Sequence, residues 1–249
     1  MLEEEKISRI DSELLEERYQ DRKELEEVLE KIRNGYPVQY AIGNVPFLNN
    51  IIKVDERVLI PRFATELLVS KTIDYIKEKK LGEGPFVDIC TGSGCIAIAL
   101  RSEFKNSSIL AIDVSDDALE VARMNALTNK VEIGFLKEDI LKTDRLDRHF
   151  SLIIANPPYV KSGEVVSLNT KYEPKIALYP GKDDVIFYKK IIDLANESLL
   201  ERAMIAFEIG STQAKEIGDY VKNVMPQATI SIEKDYEGYD RFLFIFKNC

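Results

Sequence analysis

From residue 81 to the carboxyl terminus, short apolar runs alternate with segments of helical periodicity, and this alternation constrains the fold more than any other feature. Strands are predicted at 86–90, 109–113, 132–135, 151–155, 204–209, 229–234 and 242–246, and helices at about 94–104, 116–128, 185–197 and 213–224. A strand, a helix and another strand in succession form a crossover, so the strands lie parallel with helices on both faces. The last two strands are joined only by Tyr236-Glu237-Gly238-Tyr239-Asp240, too short for a crossover helix, and are expected to pair antiparallel. The expected fold is α/β: a Rossmann-like, seven-stranded, mostly parallel sheet with one antiparallel strand.

The front of the chain reads differently. Residues 2–33 are rich in Glu, Lys, Arg and Leu, with Ile7, Ile10, Leu14, Leu15, Leu25, Val28, Leu29 and Ile32 at helical spacing. One or two amphipathic helices are predicted, stopped at Asn34-Gly35, and they serve either to pack on their own domain or to bind a partner. Short β-prone runs follow among Pro37, Gly43 and Pro46, predicting a hairpin with Asn49-Asn50 as its turn. Thr65 is placed to cap the helix that begins after it. The domains expected are a short N-terminal helical segment (1–34), a hairpin-bearing linker (35–60) and a main domain (61–249).

Composition removes several functions. Net charge is −9 and the pI is near 5.0, which disfavours nucleic acid as the main partner. Three cysteines and one histidine offer no zinc spacing and no even disulfide framework, so no metal is expected and a reducing, cytoplasmic setting is. No run approaches the roughly eighteen apolar residues of a membrane span, and Met1-Leu2-Glu3-Glu4-Glu5-Lys6 is acidic where a signal peptide is basic and then apolar. The single His149 reads as a surface residue.

Two stretches carry chemistry. Val87-Asp88-Ile89-Cys90-Thr91-Gly92-Ser93-Gly94-Cys95 follows a strand and opens a helix, the context in which glycines let a ligand approach the backbone. It lacks the Gly-Lys-Ser/Thr of a phosphate loop, and Cys90 stands where a dinucleotide motif has its first Gly. Asp113 ends the next strand, where it serves either to accept the hydroxyls of a ribose or to cap the following helix. Asp139 and Ile140, after the third strand, either meet an adenine amine and ring or are a loop-end acid that caps or is solvated and its apolar neighbour. A ribose and an adenine with no grip for a pyrophosphate fit S-adenosylmethionine better than NAD.

The second stretch is Asn156-Pro157-Pro158-Tyr159, directly after the apolar run 151–155. Taken alone it is a strand ended by a Pro-Pro turn. It also supplies two rigid acceptors, the Asn156 carboxamide and the Pro157 carbonyl, with Tyr159 as a flat wall, which suits holding a planar NH2 while an electrophile approaches its nitrogen.

These features resemble the class I S-adenosylmethionine-dependent methyltransferases that alkylate amide or exocyclic amine nitrogen. More closely, Gly35-Tyr-Pro-Val-Gln-Tyr-Ala-Ile-Gly43, Leu59-Ile-Pro-Arg-Phe-Ala-Thr-Glu66, Asn156-Pro-Pro-Tyr-Val160 and Tyr172-Glu-Pro-Lys-Ile-Ala-Leu178 resemble the HemK/PrmC family. Its members are protein-(glutamine-N5) methyltransferases that modify the Gly-Gly-Gln glutamine of class I peptide-chain release factors. The resemblance implies that Cys90, Thr91, Gly92, Ser93, Gly94, Asp113, Asp139, Ile140 and Asn156 bind S-adenosylmethionine. It implies that Asn156, Pro157, Pro158 and Tyr159 hold the glutamine, with Asn156, Pro157 and Tyr159 catalytic. Pro61, Arg62, Thr65 and Glu66 would border the site in a mainly structural role. Three departures stand out: Phe63-Ala64 replaces Pro and an acid, Pro180-Gly181-Lys182-Asp183-Asp184-Val185 replaces a Gly-Gly-x-Asp-Gly-Leu turn, and the family's amino-terminal helical domain is longer. Other readings are a ribosomal protein glutamine methyltransferase, a DNA adenine-N6 methyltransferase, or a non-catalytic interaction module on the same fold.

Overall fold

The computed structural model describes residues 7–161, 163 and 168–249, so the first residues of the predicted amino-terminal helical segment, 1–6, lie outside it. Two helices open the described chain. Ser8 accepts from the Asp11 amide at the head of α1 (Arg9–Arg18), and Asp21 accepts from the Lys23 and Glu24 amides at the head of α2 (Arg22–Arg33). Gly35, at φ +88°, closes α2 as expected. Leu15 and Ile32 are buried with Ala41 and Ile42 of the short α3 (Val38–Ile42) in a small core of their own.

A hairpin follows, of β1 (Asn44–Phe47) and β2 (Asn50–Lys53). Phe47 pairs with Asn50, so the turn is Leu48-Asn49, one residue earlier than predicted. Leu48 takes φ +50°, and Asn50 is buried with its Oδ1 accepting from Ser102, which removes it from the turn. Phe47, Ile52, Val54 and Ile60 are buried in the same core as one face of the main sheet.

The main domain runs α4 (Phe63–Glu78), β3 (Phe86–Ile89), α5 (Cys95–Glu103), β4 (Ile109–Asp113), α6 (Asp116–Thr128), β5 (Gly134–Lys137) and β6 (Phe150–Ala155). It continues with α7 (Lys175–Leu178), α8 (Ile186–Ser198), β7 (Leu199–Glu208), α9 (Ala214–Val224), β8 (Thr229–Lys234) and β9 (Asp240–Lys247). The seven strands lie in the order β5-β4-β3-β6-β7-β9-β8, and β9 alone runs antiparallel to its neighbours. That is the sheet the alternation predicted. Two differences are local: β5 starts two residues later than expected, because the edge strand carries little apolar signal, and β7 extends back to Leu199.

Chain order reverses between β3 and β6, and ligands of open α/β sheets bind at the carboxyl ends of the strands beside such a switch point. The register places the site. Ile89 pairs with Ile112 and Ala155, and Ala155 with Phe207, so the next residues, Asp113, Cys90, Asn156 and Glu208, stand abreast across four strand ends. Among the described residues no helix is long and apolar enough to cross a membrane.

Candidate active site

A cavity of about 310 Å³ opens over those strand ends, within the size range of small-molecule sites. Cys90, Thr91, Gly92, Ser93, Asp113, Asp139, Ile140, Asn156 and Pro158 line it, nine of the twelve residues assigned to cofactor and substrate from the sequence. Gly94, Pro157 and Tyr159 do not line it.

The loop after β3 turns on residues held at positive φ. Cys90 sits at +62°, Gly92 at +53° and Gly94 at +81°, so Cys90 adopts the left-handed conformation although it is not the Gly a dinucleotide motif has there. A Cβ on Gly92 would meet nothing within 4 Å, whereas one on Gly94 would lie 3.0 Å from Ala122 Cβ. Gly92 keeps the loop open to the cavity, and Gly94 lets α5 pack against α6. Beneath the loop Asp88 is fully buried, and its Oδ2 accepts from the Thr91 hydroxyl and the Ala97 amide. Its Oδ1 has no hydrogen-bond partner among the described residues, and burial pushes the carboxyl up to about 7.

Asp113 is not a helix cap. Ser115 caps α6 by accepting from the Ala118 amide, while Asp113 Oδ2 accepts from the Gly92 amide and Oδ1 from the Ser115 amide, each at 2.9 Å. Burial raises this carboxyl, and the amides of Ser115, Gly92 and Val114 draw it back. Each oxygen keeps a lone pair for a further donor. Asp139 pairs with Lys142 at 2.8 Å, which holds it below its ordinary value, and Ile140 is a buried apolar wall. Arg57 is the one cation among the described lining residues, and it is committed to Asp55 and Glu120. The wall is acidic, which suits a ribose, amines and a cationic ligand and opposes a pyrophosphate.

On the other side of the switch point, Asn156 Nδ2 donates to Thr65 Oγ1 at 3.1 Å, and the Thr65 hydroxyl donates to Glu208 Oε2 at 2.7 Å. The Tyr159 hydroxyl donates to Glu208 Oε1 at 3.1 Å, and burial pushes this phenol up. Thr65 therefore does not cap α4 as predicted: the helix starts at Phe63 with Arg62 at the N-cap position, and the Thr65 hydroxyl is turned to Glu208. Glu208 is 1% exposed and was not singled out in the sequence. The available signal was an acid at the end of an apolar strand, the pattern that marks Asp113.

Segments flanking this site are tied together. Glu173 accepts from the Ile60 amide at 3.1 Å and pairs with Arg62 at 2.5 Å, joining the Leu59–Glu66 and Tyr172–Leu178 segments. Pro61 and Thr65 line the cavity, whereas Arg62 and Glu66 do not; Glu66 instead accepts from the Leu48 amide at 3.4 Å. Phe63, one of the departures from the family pattern, stacks on Tyr236 with ring centroids 5.7 Å apart. His149 is exposed and does not line the cavity.

Residues 63–172 match the family described as methyltransferase small domain. Over 223 residues, 88% of this chain, the sequence is 38% identical to a release factor glutamine methyltransferase of Flavobacterium psychrophilum, covering 78% of that protein. A release factor glutamine methyltransferase of Lactococcus lactis is 35% identical over 91% of this chain and 83% of its own length. Among solved structures, a ribosomal protein L11 methylase from Lactobacillus delbrueckii subsp. bulgaricus superposes with a TM-score of 0.55 at 22% identity, over 79% of this chain and 86% of that one, a likeness of fold. At this identity over most of both chains, the chain belongs to the release factor glutamine methyltransferase family.

Proposed function

We propose that the protein is an S-adenosylmethionine-dependent methyltransferase that alkylates the side-chain amide nitrogen of a protein glutamine, the glutamine of the Gly-Gly-Gln motif of class I peptide-chain release factors. The observation that carries this reading is the placement of Asn156 abreast of the Cys90 loop, its side chain lining the cavity that Asp113 also lines.

The donor set fits the cofactor. Asp113 has a free lone pair on each oxygen for the ribose hydroxyls, Asp139 and Ile140 offer an acceptor and an apolar wall for adenine, and the backbone at Gly92 is open. When bound, S-adenosylmethionine supplies a methyl group activated on a sulfonium. The chain's own residues have to bring the amide nitrogen to it.

An amide nitrogen is a poor nucleophile because its lone pair is delocalised into the carbonyl. Asn156 Oδ1, at the cavity wall, accepts one of its hydrogens and the family resemblance assigns the other to the Pro157 carbonyl, so charge that builds on nitrogen as the carbon bond forms meets fixed dipoles. Preorganised contacts of this kind are worth roughly 10²–10³ in rate each. The nitrogen sheds one proton after it is alkylated, when that proton has become acidic, and His149 has no part in the step.

The acidic wall and the net charge of −9 support a protein over a nucleic acid as the substrate. Cys90 in the conformation a glycine would take leaves the cofactor loop formed, which supports an enzyme over a non-catalytic module. The test is incubation with labelled cofactor and, separately, a release factor, a large-subunit ribosomal protein and DNA, followed by mass spectrometry of the Gly-Gly-Gln peptide. One added methyl group on that glutamine is the expected result. Label in ribosomal protein or DNA alone would overturn the assignment.

A further inference from the structure

We propose that Thr65 and Glu208 are positioning residues that fix which way round the Asn156 carboxamide lies, so that its oxygen and not its NH2 is presented to the substrate. The proposal rests on the reading above, in which Asn156 accepts from the target amide.

The two ends of a carboxamide are nearly the same size, so packing alone does not distinguish them. A hydrogen-bonded chain does. Glu208 receives one hydroxyl on each oxygen, Thr65 on Oε2 at 2.7 Å and Tyr159 on Oε1 at 3.1 Å; burial raises its carboxyl, while these two hydroxyls and the charges of Arg241 and Arg62 favour the ionised form, which only accepts. A threonine hydroxyl has one hydrogen. Because Thr65 gives its hydrogen to Glu208, its oxygen has only lone pairs left for Asn156, 3.1 Å away. The group facing it must be the NH2. Turning the carboxamide over would set oxygen against oxygen and leave a donor facing the donors of the target amide, two mismatches at once.

The fold makes the chain rigid. Glu208 ends β7 beside Asn156 at the end of β6, by the pairing of Phe207 with Ala155. Its backbone carbonyl accepts from the buried Tyr188 hydroxyl at 2.9 Å, so the end of β7 is anchored independently of the side chain. Thr65 lies in the first turn of α4, three residues after Arg62, whose guanidinium is bound to Glu173. Three segments far apart in sequence thus set the direction of one hydrogen-bond relay.

Thr65→Val keeps the shape and removes both the donor and the acceptor; Thr65→Ser keeps both. In Thr65→Val the half-buried Asn156 NH2 loses its acceptor, and the turnover rate is expected to fall about ten- to a hundredfold. S-adenosylmethionine affinity by calorimetry should stay at the wild-type value, and Thr65→Ser should restore most of the rate. Glu208→Gln lets the chain run in either direction and should also lower turnover. The side-chain NH2 resonances of Asn156, assigned by their loss in Asn156→Ala, should move in Thr65→Val and stay in place in Thr65→Ser. Wild-type turnover together with unmoved resonances in Thr65→Val would overturn the proposal. If the wild-type protein methylates no glutamine, the functional reading fails instead, and the resonances still report on the chain of hydrogen bonds.

Discussion

Asp113 and Glu208 end strands on opposite sides of the β3–β6 pair, and both are acids that follow an apolar run, yet they have different surroundings. Asp113 accepts two backbone amides and lines the cavity; Glu208 accepts two side-chain hydroxyls, is 1% exposed and does not line it. An acid that faces a ligand is held by backbone, whose position does not depend on side-chain choice, and keeps lone pairs free. An acid that faces side chains spends its lone pairs on aligning them. In the proposed reading the same strand-end chemistry serves binding on one side of the switch point and alignment on the other.

The sharpest way to break this division is Asn156→Ala. Methyl transfer should be lost while S-adenosylmethionine keeps most of its affinity by calorimetry, since Asp113, Asp139 and the Cys90–Gly94 loop are untouched; turnover near the wild-type rate would sink the proposed mechanism. Asp113→Ala is the converse variant. It should weaken cofactor affinity by roughly ten- to a hundredfold, as expected for losing charge-assisted hydrogen bonds, and a methylation assay at saturating cofactor should recover much of the rate. If affinity is unchanged, Asp113 is not the ribose ligand.

Arg62→Ala probes the frame on the alignment side. The Glu173 side chain is 1% exposed and Arg62 is 41% exposed, so removing the arginine leaves a buried carboxylate with the Ile60 amide, at an expected cost of about 1.5–3 kcal/mol in denaturant unfolding. A change near zero would mean that the carboxyl simply takes up a proton. A further test lies at Asp88, on the cofactor side. Its carboxyl is raised from 3.8 to about 7, so its contribution to stability is fully present below the unfolded value of 3.8 and is lost as pH rises through 7. Asp88→Asn should flatten the dependence of the thermal midpoint on pH across that window. Parallel profiles for the two proteins would show that Asp88 is ionised throughout.

Much of this was legible in the sequence because it is local. Helix α6 falls at 116–128 as its pattern predicts, Asp113 and Asn156 end apolar runs where strands must stop, and the Cys90–Gly94 loop lies between a strand and a helix. The roles of Thr65 and Glu208 were not legible, for a physical reason. Thr65 is a sound cap by residue type, and only a partner 143 residues away shows that its hydroxyl is used elsewhere. The Leu48-Asn49 turn was misplaced for the same reason, since Asn50 is claimed by Ser102 on α5. Where a side chain is bid for by distant residues, local preference loses.

The hairpin carries one more consequence. The buried Asn125 accepts from the Lys53 amide at 2.7 Å and donates from Nδ2 to the carbonyls of Lys53 and Ser93, each at 2.9 Å. One carboxamide therefore bridges the end of the hairpin and the loop that lines the cavity. In hydrogen-exchange terms the Lys53 amide can trade its proton only when Asn125 lets go, so a ligand that quiets the Ser93 segment should slow exchange at Lys53 too. The hairpin becomes a remote reporter of whether the cofactor site is filled.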